Sequence, residues 1–179
     1  MILLSHQIFK EVEAGNISID PFNANNVNPN SYDLTLAKEV SVVSDCVLDL
    51  AKPVNLLRYR IPEEGMLLVP NKLYLMRTQE RTATNKYVPC IEGRSSIGRM
   101  GINIHATAGF GDIGFDGTWT LEVSVIHPIK VYAGVRVCQI YFMTADYEHA
   151  QHKYHGKYQE QHYPEPSRIW KEKEEWGLK

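Results

Sequence analysis

The sequence predicts a mainly β domain, a sandwich or barrel of short strands, and three observations carry that prediction. The segment Trp119 to Val125 alternates strictly, with Trp119, Leu121, Val123 and Val125 on one face and Thr120, Glu122 and Ser124 on the other. A second apolar run, Val135 to Met143, follows a Tyr132-Ala133-Gly134 turn. From Ser31 to about residue 146 the chain consists of such short runs, broken by Gly, Pro and Asn rather than by amphipathic helices.

The elements follow in order. Ser5 is read as the cap of a short helix over residues 6–14, with Ile8, Phe9 and Val12 on one face and Gly15 as its stop. An Asn- and Pro-rich stretch, Asn23 to Asn30, is read as loop. Strands are expected at Val40–Val43, Leu67–Val69 and Leu73–Met76 in addition to the two runs above. From Tyr147 to His162 the composition turns to His, Gln, Lys and Tyr, and Ser167 to Trp176 reads as a short terminal helix. Residues 1–179 form one domain in this reading, with 147–179 a tail that covers a surface or closes on a ligand.

Composition limits the function classes. The chain has 179 residues, 19 Lys and Arg against 21 Asp and Glu, a net charge of −2 and 44% hydrophobic residues. That is an ordinary globular composition, and its charge argues against a broad basic face for duplex nucleic acid. No apolar stretch approaches the ~20 residues that span a bilayer, and the start lacks a basic, signal-like region. Cys46, Cys90 and Cys138 are odd in number and widely spaced. Unpaired thiols of this kind fit a reducing, cytoplasmic compartment, with no membrane and no nucleic acid as partner.

The segment from Ile91 to Glu122 carries the candidate chemistry. It holds seven of the twelve glycines, at 93, 98, 101, 109, 111, 114 and 117. Two guanidiniums and two hydroxyls fall within the six residues from Arg94 to Arg99. Arginine forks and serine hydroxyls together make a cradle for phosphate or carboxylate oxygens, although surface arginines on a polar turn are the bland alternative. No Walker pattern is present. Glu122 stands on the polar face of its strand, between Thr120 and Ser124. It is either a solvated strand residue or a general base for water. Asp112, in a Gly-Asp-Ile-Gly turn, either accepts from a sugar hydroxyl or caps the turn.

A zinc deaminase site is not indicated, because Pro89-Cys90 has no second Cys three residues on. His149, His152 and His155 are spaced by three, with His162 nearby, and are read as fortuitous tail histidines.

These residues resemble the dCTP deaminase family, a branch of the dUTPase-like fold, over nearly the whole chain. The resemblance rests on Ile17-Ser18-Ile19-Asp20-Pro21-Phe22, Asn30-Ser31-Tyr32-Asp33-Leu34-Thr35-Leu36 and Glu92-Gly93-Arg94-Ser95-Ser96-Ile97-Gly98-Arg99. It continues through His105-Ala106-Thr107-Ala108-Gly109, Thr120-Leu121-Glu122, Cys138-Gln139-Ile140, Gly156-Lys157-Tyr158-Gln159-Glu160-Gln161 and Pro166-Ser167-Arg168. The family implies a distorted jelly-roll or β-barrel of the β-clip type with short terminal helices. It implies a homotrimer with active sites between subunits, dCTP as substrate, no zinc, and Mg2+ carried on the triphosphate.

By position, the resemblance makes Glu122 the carboxylate that activates water for attack at cytosine C4, with Ser95 and Arg99 around that water. Arg94 and Ser96 match triphosphate contacts, and Ile97 and Gly98 belong to the same substrate-binding turn. Ala108 falls where backbone shapes the base pocket, Asp112 at the deoxyribose 3′-hydroxyl, and Thr120 and Leu121 where backbone meets the base. Gln139, Tyr154, Lys157 and Gln161 match nucleotide contacts. Gly111-Asp112-Ile113-Gly114 departs from the usual Ile-Asp-Pro-Gly turn.

The leading reading is deamination of dCTP to dUTP and ammonia in pyrimidine deoxynucleotide synthesis. The alternative is a bifunctional reaction that releases dUMP and diphosphate, towards which Gly109 leans. A plain dUTPase, a non-catalytic nucleotide-binding regulatory module and a β-sandwich interaction protein stand below these.

Overall fold

The computed structural model describes residues 1–105, 108–146 and 152–177. It is mainly β and antiparallel throughout. The strands are β1 (Ile17–Asp20), β2 (Tyr32–Thr35), β3 (Glu39–Val43), β4 (Leu56–Arg60), β5 (Met66–Leu68) and β6 (Tyr74–Thr84). They continue with β7 (Tyr87–Gly93), β8 (Ile102–Asn103), β9 (Asp116–Val125), β10 (Ile129–Val131) and β11 (Arg136–Thr144). The largest sheet runs β4-β3-β6-β9-β8, with β1 added on the second half of β6. A second sheet runs β2-β11-β7, and β10 pairs β5. Among the described residues these sheets do not close into one barrel, so the expected barrel is realised as separate packed layers.

The alternation that marked β9 holds. Trp119, Leu121, Val123 and Val125 are buried, while Thr120, Glu122 and Ser124 are half-buried on the opposite face. Their partners in the core include Tyr32, Leu34, Met76, Ile91, Ile140 and Phe142 from both large sheets. Each such side chain, fully buried, contributes roughly 1.5–3 kcal/mol relative to an exposed one.

A register shift between Arg77 and Arg81 interrupts the β6–β9 ladder. At the break Thr78 Oγ1 accepts the Trp119 N–H at 3.0 Å and donates to the Glu80 carbonyl at 2.9 Å. The side chain replaces the lost ladder bond, as a buried N–H requires. The bulge lets the first half of β6 pair β3 and its second half pair β1. The Glu80 carboxylate, buried beside it, accepts from the Thr35 N–H and hydroxyl, both at 2.8 Å.

Helix α1 spans Ser5–Glu13. Ser5 is not its cap. Leu4 holds that position, and the Gln7 side chain reaches back to accept the Leu4 N–H at 2.9 Å, while Ser5 N–H bonds to the Pro29 carbonyl. Gly15 ends the helix at φ +72°, as expected. The terminal segment forms a 3₁₀ helix, Ile169–Trp176, with no buried residue.

Candidate active site

β9 presents Thr120 and Glu122 from its polar face, and the ladder sets their neighbours. Glu122 lies opposite Leu75 on β6, and Thr120 opposite Arg77. On the other edge β8 pairs Ile102 with Val125 and Asn103 with Ser124. Continuing that register brings His105 across from Glu122, and the His105 Nδ1 lies 2.8 Å from Glu122 Oε2. A carboxylate has no proton to give, so the ring donates Nδ1–H. The His105 side chain is 8% exposed, and its Nε2 is buried without a hydrogen-bond partner among the described residues. Glu122, at 33%, lines a cavity of about 690 Å³.

Two other segments complete that cavity. The first is the loop from Ala108 to Phe115, laid along β7 by Ile91 N–H to the Gly109 carbonyl (2.7 Å) and Gly111 N–H to the Pro89 carbonyl (2.9 Å). This approach is close enough to demand glycine. A Cβ at Gly109 would sit 2.4 Å from the Ile91 carbonyl oxygen, and one at Gly111 would sit 2.3 Å from the Trp119 ring.

The second is the tail. Gln161 lies along the stretch of β9 that β8 leaves unpaired. Thr118 N–H donates to the Gln161 carbonyl at 3.0 Å, and Gln161 Nε2 donates to the Thr118 carbonyl at 2.7 Å. Tyr154 packs edge-on against Phe115, and its hydroxyl accepts the Tyr158 N–H. Arg168 ties the end of the tail down through Glu165 and the Lys157 carbonyl. Lys157 pairs with Glu172, and that bond raises the lysine pKa above its ordinary value despite some desolvation.

The structure therefore gathers Ala108, Asp112, Thr120, Glu122, Tyr154, Lys157 and Gln161 around one cavity. Its volume suits a small molecule with a few polar anchors. Val43, Leu48, Val54, Leu73 and Leu75 add apolar lining. Leu121 points its side chain into the core, leaving only backbone for any contact.

The Arg/Ser turn lies elsewhere. Arg94 is the N-cap of α2 (Ser95–Gly98) and Arg99 its C-cap. Ser95, Ser96, Gly98 and Arg99 are exposed, Ile97 and Arg94 half-buried, and none of them lines the Glu122 cavity. Gln139 sits on β11, opposite Asp33 of β2 and Glu92 of β7, also outside the cavity. Thr107 and His149 lie outside the described residues. Among the described residues no three His, Cys, Asp or Glu side chains converge as a metal-binding group.

His105 is the candidate site residue to which the sequence assigns no role. The signal available was alternation: Ile102 and Ile104 are buried, and Asn103 and His105 fall on the other face.

Comparison with known proteins places the chain in a family. A model of the dCTP deaminase-like family matches residues 2–145, and the chain belongs to that family. Its relatives carry a narrower name. The chain is 51% identical over 175 residues to the dCTP deaminase, dUMP-forming, of Clostridium acetobutylicum, covering 96% of this chain and 98% of that one. It is 48% identical over 172 residues to the protein of the same name from Leptospira biflexa, and 46% over 171 residues to that of Cytophaga hutchinsonii, with 96% and 98% covered in both cases. The fold is similar to the crystal structure of 2′-deoxycytidine 5′-triphosphate deaminase from Agrobacterium tumefaciens, at TM-score 0.64 and 21% identity. That match covers 80% of this chain, which spans 48% of that longer one.

Proposed function

We propose that this chain deaminates dCTP and carries the nucleotide on to dUMP and diphosphate, a zinc-independent hydrolytic reaction. The supporting observation is the naming of its relatives as dUMP-forming at 46–51% identity over nearly full length. It favours the bifunctional alternative over the dUTP-releasing reading that led the sequence analysis.

In the proposed reaction the free oxygen of Glu122 takes a proton from water, which adds to cytosine C4. The carboxylate then passes that proton to the departing amine, so ammonia leaves and a uracil ring remains. His105, donating to Oε2, fixes the rotamer of Glu122 and leaves one oxygen for this work. A second water attacks the α-phosphorus and expels diphosphate. Thr120 and the Ala108 backbone bound the base, and Asp112 holds the sugar. Tyr154, Lys157 and Gln161 reach the nucleotide from the tail. Mg2+ enters on the triphosphate oxygens, where it neutralises charge. Ser95 and Arg99, with Arg94 and Ser96, come from a neighbouring copy in a homotrimer, which matches the exposure of Ser95, Ser96 and Arg99 outside the chain's own cavity. The compartment is taken to be cytoplasmic.

Incubation with dCTP and Mg2+, followed by chromatography and an ammonia assay, tests this. Equimolar ammonia, dUMP and diphosphate are expected. Accumulating dUTP would return the dUTP-releasing reading to first place, and binding without ammonia would favour the regulatory module.

A further inference from the structure

The β2-β11-β7 sheet carries a charge cluster that the Glu122 cavity does not include. Asp33 stands in the middle of β2, 1% exposed, across from Gln139. Its Oδ1 accepts from Asn28 Nδ2 at 2.8 Å. Its Oδ2, shielded from solvent and without a hydrogen bond of good geometry, faces two guanidiniums: Arg94 Nε at 3.1 Å and Arg136 Nη1 at 3.4 Å. Arg94 Nη1 donates in turn to the Arg136 carbonyl at 3.2 Å.

Arg94 is thus anchored at two of its three nitrogens. Two cations against one buried anion leave the cluster with one positive charge in excess. Gln139 Oε1 accepts from Ser31 Oγ at 2.8 Å, which turns its amide N–H groups away from Ser31. The other acid of this row, Glu92, is exposed on β7. A buried carboxylate is expensive to hold where an apolar residue would pack. Here it yields a pair of guanidiniums set in place before any ligand arrives.

We propose that Asp33 is a positioning residue that fixes Arg94 and Arg136 as one preformed pair for the polyphosphate of a nucleoside triphosphate, and that Arg136 is a phosphate contact. This rests on the reading above that Arg94 meets the triphosphate. Preset guanidiniums bind polyphosphate without losing side-chain freedom at the moment of contact.

Asp33→Asn tests the inference, because the amide keeps the bond from Asn28 and loses the charge. The expected result is a KM for dCTP raised about tenfold or more with kcat within about twofold. Calorimetry should show inorganic triphosphate weakened by a similar factor and 2′-deoxycytidine unaffected. Arg136→Gln should shift KM the same way, and the double variant should be no worse than Asp33→Asn alone, since both act on one pair.

Factors that multiply, or a fall in kcat with triphosphate binding intact, would make Asp33 merely structural and overturn the proposal. If Asp33→Asn does not fold, Arg136→Gln and Arg136→Lys decide. Triphosphate affinity lost in the first and regained in the second supports the pair, and affinity unchanged in the first overturns it. A wild-type chain that binds neither dCTP nor triphosphate overturns this proposal and the proposed function together. A wild-type chain that turns over dCTP beside an indistinguishable Asp33→Asn overturns this one alone.

Discussion

The wall that carries Glu122 and the turn that carries Ser95 and Arg99 differ in how much of their geometry one chain supplies. At the wall the catalytic candidate is half-buried, held by a mostly buried histidine, and enclosed by a loop and the tail of the same chain. At the turn the hydroxyls and the Arg99 guanidinium are exposed, and among the described residues no hydrogen bond or ion pair joins them to Glu122. A carboxylate needs shielding and a fixed rotamer to act as a base. An anion cradle needs open donors. Each region matches the requirement of the part assigned to it in the proposed reaction, which would need both in one place.

Loss of the wall's acid should have the largest effect. Glu122→Gln is expected to lower kcat for ammonia release by about a thousandfold while dCTP still binds in calorimetry. Loss of both binding and turnover would mean that Glu122 serves the pocket's structure. His105→Gln removes the clamp rather than the base. A hydrogen bond to a charged group contributes about 1.5–3 kcal/mol, so kcat should fall about 10- to 100-fold with KM little changed. An unaltered kcat would leave the wall's enclosure without a catalytic purpose.

The tail comes next. Lys157→Ala should raise KM about tenfold through one lost charge-assisted contact. Glu172→Gln frees Lys157 and lowers its pKa, and should reduce KM by up to about threefold. An increase in the second variant would mean that the Lys157–Glu172 bond orders the tail instead of competing with phosphate.

The smallest effect lies away from both regions. Burial pushes the Glu80 carboxyl above its ordinary range, against the opposing bonds from Thr35. The folded state then holds the proton more tightly than the unfolded chain. Its stabilising contribution is complete below the usual glutamate range and fades as pH rises through the raised value. Glu80→Gln, which does not ionise, should melt with wild type at acid pH and about 2–4 °C above it at pH 8. An equal gap at both pH values would point to altered packing.

Much of the wall was legible because its signals are local. Strict alternation gives β9 and the faces of Thr120, Leu121 and Glu122, whereas the roles of Thr120 and Leu121 come only from the family resemblance. The residue types of the Arg94–Arg99 cluster suggest an anion cradle, and the structure adds that its hydroxyls and the Arg99 side chain are exposed. The clamp was not, because His105 meets Glu122 through strand pairing across 17 positions of sequence. Nor was the bulge in β6, which depends on Thr78 finding the Trp119 N–H. Gly109 leans in sequence towards the bifunctional products, and the structure adds a steric requirement from the Ile91 carbonyl that the sequence does not show. Ser5 looked like a helix cap by type, but the Gln7 side chain satisfies the Leu4 N–H and the Pro29 carbonyl engages Ser5 itself. Asp33 carries no local sign of burial, and only the layering of β2 on β11 supplies it.

The division between wall and turn is tested most directly by mixing Glu122→Gln and Arg99→Ala chains in equal amounts, co-refolding them, and measuring ammonia released from dCTP. If each site takes its acid from one copy and its guanidinium from the next, either variant alone is inactive. Random assortment then makes half of the acids and half of the guanidiniums intact, so about a quarter of wild-type activity returns. A mixture as inactive as its components would contradict a site shared between copies.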